Sequence, residues 1–319
     1  MEKPLISFII PYYDLPVQML CECIESVLAL SLRNVEREII IIDDGSSKSP
    51  VETLMRYEQD IIYIRQPHQG LSEARNTGIR MATGTYLQFL DSDDLLVRSA
   101  YEHCLDLIRF TKPEMVVFDF TTTASEDKTY IDQPVQSGVN YMRNHNIRGT
   151  AWGYVFQQSV LGNLRFTPGI SHEDEEFTPL LLLRAETVCV TDAEAYLYRQ
   201  RPDSITNNSE TRERVRRLED FRAVISRLNT SADRLPVNEK TALQRRIAQL
   251  TMDYLYNVIR LTGSRHYLES KIDLLRQEGL FPLPNKDYSA KYTWFRRLSN
   301  SNMGLSLLMR IIPLMKKER

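Results

Sequence analysis

Three segments of this chain carry the residue types that do chemistry, in a fixed order: IIIIDDGS at 39–46, GLSEARNTGIR at 70–80 and TYLQFLDSDD at 85–94. Two of them are apolar runs of strand length that end abruptly in carboxylates. A parallel sheet delivers acidic groups to a ligand crevice at its carboxyl edge in this way, which is the layout of a metal and nucleotide site. A fourth acidic stretch, SHEDEEFTPLLLL from 171, opens an apolar helical pattern. Its Asp174 has two readings: in Ser171-x-x-Asp174 it completes a capping signature, and as a carboxylate facing a substrate it could take a proton. DSDD likewise reads either as a site or as a turn whose aspartates cap the helix expected from about 97.

The elements that must position these residues alternate. Residues 5–10 read as a buried strand closed by Pro11. Val17, Leu20, Cys21, Ile24, Val27 and Leu28 then recur at helical spacing, with Asp14 as candidate N-cap and Pro16 near the first turn. A strand at 38–42, a helix around 50–58, a strand at 61–64, a helix over 72–82 starting at Ser72 and a strand at 85–90 follow. A helix over 97–110 and a strand at 115–120 continue the series. Strand and helix in alternation imply a mainly parallel sheet of the α/β class flanked by helices. The stretch 121–170 is polar, turn-rich and the least legible. A capped helix is expected over 171–185, then short strands at 187–191 and 195–199. From about 208 the sequence turns to charged stretches with apolar residues every three or four positions, a helical C-terminal extension.

With 319 residues the chain can bury a sizeable core. Forty basic against forty-two acidic residues leave a formal charge of −2, so there is no global basic field to gather nucleic acid. Cys21, Cys23, Cys104 and Cys189 form neither a CxxC pair nor a zinc spacing and read as buried thiols in a reducing compartment. The apolar stretch in MEKPLISFIIPYY is too short for a signal peptide or a spanning helix. A cytoplasmic chain is expected.

Taken together, the segments resemble the family 2 glycosyltransferases, enzymes of the GT-A fold that use nucleotide-activated sugars. The matching pieces are Pro11-Tyr12-Tyr13, Asp43-Asp44-Gly45-Ser46, Gly70 through Gly78, Asp91-Ser92-Asp93-Asp94, Trp152, Glu173-Asp174, and Tyr198-Arg199 with Ser204. They cover roughly residues 4–205. The resemblance implies a domain over 1–206, with 1–120 binding a nucleoside-diphosphate sugar, the uridine type first, and 121–206 facing a saccharide or lipid-linked acceptor. Residues 207–319 form the helical region.

By the same resemblance Asp93 ligates Mn²⁺ or Mg²⁺, and Asp91 contacts the metal through water or the ribose. Asp43 or Asp44 reads base and ribose, Arg75 approaches base or phosphates, and Pro11, Tyr13 and Ser92 line the donor site. Asp174 is the base of an inverting transfer, and a helix N-terminus would hold it ionised. Trp152 and Glu173 lie on the acceptor side, with Arg199 and Arg201 near the diphosphate.

Gly78 costs about 1 kcal/mol of helix propensity relative to alanine, a sign of close packing. The tail from 291 carries seven basic residues, Lys291, Arg296, Arg297, Arg310, Lys316, Lys317 and Arg319, against Glu318 alone, beside a Met, Leu and Ile face. This suits peripheral contact with the inner face of a membrane, or packing on the core or on a second subunit of a homodimer. Two rival functions remain at this stage. One is a non-catalytic sugar-nucleotide-binding adaptor. The other is a sugar-phosphate nucleotidyltransferase, which would open with a glycine-rich phosphate loop; no glycine precedes Gly45.

Overall fold

The computed structural model describes residues 3–123, 129–201 and 211–314. Ser204 and the terminal Lys316, Lys317, Glu318 and Arg319 lie outside the described residues. The chain divides into two compact units, Met1–Tyr141 with Arg148–Ser204, and Met142–Ile147 with Ile205–Arg319.

The first unit is built on one eight-stranded sheet. Strand β1 (Ile6–Tyr12) is buried along its whole length and is followed by α1 (Val17–Leu28), β2 (Arg37–Asp43), α2 (Val51–Leu54), β3 (Ile61–Arg65), α3 (Leu71–Met81) and β4 (Tyr86–Phe89). These four strands run parallel in the order β3-β2-β1-β4. The unbroken apolar runs of β1 and β2 suit strands covered on both faces. Helix α3 lies so close to β1 that a Cβ on Gly78 would come within 2.2 Å of the Ile9 side chain.

Beyond β4 the regularity ends. Short β5 (Leu95–Leu96), α4 (Arg98–Phe110), β6 (Met115–Thr121), α5 (Gly138–Asn144), β7 (Tyr154–Gln157), α6 (Gln158–Leu161), α7 (Glu173–Leu182) and β8 (Val188–Leu197) follow. Strand β7 is antiparallel to both β4 and β6, whereas β6 and β8 are parallel, with register shifts after Val117. The two short strands expected at 187–199 are thus one long strand, and β7 lies in the stretch whose sequence was least legible.

Several local expectations are corrected. Asp14 does not cap α1; it accepts from Ser47 N at 2.8 Å and Ser47 Oγ at 2.7 Å, while Pro16 occupies the cap position. Pro11 does not close β1 but pairs with Ile42 inside it. Pairing with β4 stops at Ile9–Phe89, so the missing N–H of Pro11 leaves no ladder bond unmade on that side. Helix α3 starts at Leu71 behind Gly70, and Ser72 is buried in the first turn rather than capping it. No aspartate caps α4, whose cap position is Val97.

The second unit is helical: α8 (Thr211–Ala232), α9 (Val237–Thr262), α10 (Arg265–Gln277), α11 (Ala290–Ser299) and α12 (Asn302–Ile311). Ser264, Ser289 and Ser301 cap the last three through their side chains. Leu228, Leu243, Tyr254 and Val258 are among its fully buried residues.

Candidate active site

The acidic segments meet at the carboxyl edge of the parallel strands. Tyr12 pairs with Asp43, Asp44 N donates to Tyr12 O, and Asp91 follows β4 by two residues. Asp43 and Asp44 are buried, and their oxygens are held by protein groups. Asp43 accepts from Ser46 N at 2.8 Å and from Tyr63 Oη at 2.6 Å. Asp44 accepts from Gln69 N, Gly70 N and Gln66 Nε2, and lies 2.9 Å from His68 Nδ1. Asp44 therefore shapes the loop at 66–70, and Asp43 ties the turn at Ser46 to β3. Gly45 is forced, with φ +79° and its missing Cβ 2.7 Å from His68 N. Above this edge the half-exposed Tyr13 ring stacks on His68, centroids 4.1 Å apart.

Arg75 is buried and is the hinge of the arrangement. Its Nη2 donates to Asp91 Oδ1 at 2.9 Å and its Nη1 to Glu173 Oε1 at 2.8 Å, with the guanidinium over the Phe166 ring. Burial opposes the charge, but Asp91 and then Glu173 outweigh it and hold the group firmly protonated. Asn76 fixes the neighbouring segment by exchanging hydrogen bonds with the Phe166 backbone.

In the acidic loop Ser92 is buried, Asp93 is partly exposed, and Asp94 is buried. Burial first, then the Asp91 charge, raises the Asp93 pKa; the same two causes push Asp94 up to about 8. Asp94 accepts from Tyr196 Oη at 2.7 Å and from Arg199 N at 2.8 Å. Arg199 donates to Glu22 at 2.6 Å and Arg201 Nε to Asp93 Oδ2 at 2.7 Å. Both arginines expected near a diphosphate thus stand at the acidic loop.

Among the described residues no group of three His, Cys, Asp or Glu is gathered to hold a metal by itself. A hard divalent cation bound through one or two carboxylates, with ligand phosphates and water completing its shell, needs no such group. Asp91 and Asp93 fit that role: both are hard oxygen donors at a partly open edge.

Asp174 sits in the first turn of α7, half-buried, its Oδ1 accepting from Glu175 N at 2.9 Å. His172, at φ 65°, is the cap position, and no side-chain cap forms there. The expectation that the helix end keeps Asp174 readily ionised is reversed. Burial, then Glu173, then Glu175 raise its pKa well above the usual carboxylate range, with Arg75 working the other way. Trp152 is mostly core, stacked on Tyr196 at 4.2 Å. Asp94, Tyr196, Glu22 and Tyr63 are the supporting residues that sequence reasoning missed. Only Asp94, the last carboxylate of DSDD, left a trace in the sequence.

Residues 7–161 match the sequence model of glycosyl transferase family 2. The uncharacterized glycosyltransferase EpsJ of Bacillus subtilis is 29% identical over 220 residues, which are 64% of this chain and 63% of EpsJ. The minor teichoic acid biosynthesis protein GgaB of the same organism is 26% identical over 217 residues, 62% of this chain and 23% of GgaB. The chain thus spans less than two thirds of either relative. The crystal structure of S. aureus TarS 1-349 superposes with a TM-score of 0.61 at 15% identity, covering 92% of this chain and 90% of that one. The same protein has been solved with UDP-GlcNAc. Likeness at that identity speaks for the fold, which is GT-A, an α/β sheet flanked by helices with a helical C-terminal region.

Proposed function

The chain belongs to glycosyl transferase family 2, and from that premise we propose that it moves a sugar from a nucleoside-diphosphate donor to a saccharide or lipid-linked acceptor with inversion, in the building of a bacterial surface polysaccharide. A uridine donor is favoured by the UDP-GlcNAc complex of TarS, and the polysaccharide setting by GgaB. The observation that carries the reading is the placement of Arg75 between Asp91 and Glu173, which ties the donor-side loop to the helix of the candidate base.

The donor diphosphate lies against the 91–94 loop, with Arg199 and Arg201 at hand to neutralise it and the Tyr13–His68 stack offering an aromatic surface to the base. Asp93 with Asp91 would hold a Mn²⁺ or Mg²⁺ ion, whose Lewis acidity stabilises the charge of the departing diphosphate. Asp174 takes the proton of the acceptor hydroxyl. The hydroxyl oxygen bonds to the anomeric carbon as the bond from that carbon to the phosphate oxygen breaks, and the nucleoside diphosphate leaves with the electron pair. A raised pKa makes Asp174 a stronger base than an exposed aspartate, at the stage when it is ionised.

Asp174→Asn tests this. The amide keeps an oxygen to accept from Glu175 N but cannot accept the proton, so transfer from a UDP-sugar should fall by ~10²–10⁴ while donor affinity stays unchanged. Transfer at the wild-type rate would overturn the base assignment.

A further inference from the structure

The outer surface of α11 and α12 carries large apolar side chains and two exposed arginines; Asp287, which lines the same hollow as Trp294 and Arg297, is paired with Arg296. Met303, Leu307 and Leu314 are 87%, 44% and 84% exposed, and Trp294 on α11 is 40% exposed. Met303, Leu307 and Arg310 recur at intervals of four and three, within about 60° of one helix circumference, and Leu314 lies in the 3-10 turn Ile312–Leu314 that follows α12. Gly304 lets α12 close on the end of α11: a Cβ there would lie 2.2 Å from Leu298 O. Exposed Arg297 sits one turn after Trp294. From 288 to 314 the sequence contains no Asp or Glu. Neither Arg297 nor Arg310 is drawn into an ion pair among the described residues.

Apolar surface of this kind is normally covered in a soluble chain. A two-fold contact between copies would bring Arg297 and Arg310 up to a surface of the same sign, whose bordering carboxylate, Asp287, is already paired with Arg296. An anionic lipid surface meets both demands: the apolar side chains enter the boundary between head groups and acyl chains, while the arginines reach back to the phosphates. Among the described residues no helix is long and apolar enough to cross a membrane, so the contact would be one of lying on the surface.

We propose that the α11–α12 face, through Trp294, Arg297, Met303, Leu307, Arg310 and Leu314, docks this protein on an anionic phospholipid bilayer. The docking does not depend on which sugar is transferred or on whether Asp174 is the base.

Sedimentation of the full chain with vesicles tests it. Vesicles containing phosphatidylglycerol should bind the protein and pure phosphatidylcholine should not. Arg297→Ser and Arg310→Ser should each weaken binding about fivefold, and added salt should weaken it further. Met303→Ser with Leu307→Ser should weaken vesicle binding but leave binding to heparin, a soluble polyanion, as it was. In the unaltered protein, brominated lipid should quench Trp294, since the chain's other tryptophan, Trp152, is buried. Absence of binding to anionic vesicles, absence of quenching, or a dimer in sedimentation velocity that the Met303→Ser, Leu307→Ser variant abolishes would each overturn the proposal.

Discussion

Glu173 and Asp91, far apart in the sequence of the first unit, share one buried guanidinium, that of Arg75. Removing it leaves Glu173 buried without its cation. Arg75→Met should cost about 3 kcal/mol, the lower end for breaking a buried pair because Asp91 keeps partial contact with solvent. Arg75→Lys, which cannot fork to both carboxylates, should fall between. Urea denaturation reads both; an unchanged midpoint in Arg75→Met would show that the two acids hold their places unaided.

The raised pKa of Asp174 makes a second prediction with a definite sign. An acid whose folded-state pKa exceeds its unfolded value contributes most favourably below the unfolded value, ~4, and that contribution is lost as pH rises through the folded one. Asparagine has no such dependence. Asp174→Asn should match the wild type at acidic pH and become the more stable protein as pH rises toward neutrality. A constant difference in melting temperature across this range would refute the raised pKa.

Asp93 should be separable from the fold. Its pairing with Arg201 is partly exposed, so Asp93→Asn should change stability by less than about 1 kcal/mol. Calorimetric titration with UDP should show Mn²⁺-dependent affinity in the wild type and none in the variant. Retention of that dependence would remove Asp93 from the metal site.

Asp44 should behave in the opposite manner. Its carboxylate accepts from the backbone of Gln69 and Gly70 and from Gln66, all donors, so the amide of Asp44→Asn would face hydrogens with hydrogens. A loss of about 1–3 kcal/mol and faster amide exchange over 66–70 should follow. Native exchange in this loop would show that other contacts hold it.

The parallel half of the sheet was legible because burial on both faces writes continuous apolar runs, and because Asp43 and Asp91 break those runs where the strands end. Gly78 announced a close approach, and Ile9 is the residue it meets. Failures came where a partner distant in sequence overrode a local rule. Asp14 spends its carboxylate on Ser47 instead of α1, and β7 belongs to a strand order set by β4 and β6 rather than by its neighbours in the chain. At Asp174 the local cue of a helix end is outweighed by burial and by the charges of Glu173 and Glu175, which raise its pKa.

The anchoring of Asp94 by Tyr196 and by the backbone of Arg199 also bears on how the protein is born. The acidic loop leaves the ribosome about a hundred residues before the strand that pins it, a delay of roughly 5–20 s at ordinary rates of synthesis. A nascent chain holding only β1 through β5 therefore has every acidic residue of that loop but lacks the partners that pin Asp94. Competence to grip a charged ligand arrives with the last strand of the sheet, so incomplete chains would not sequester donor.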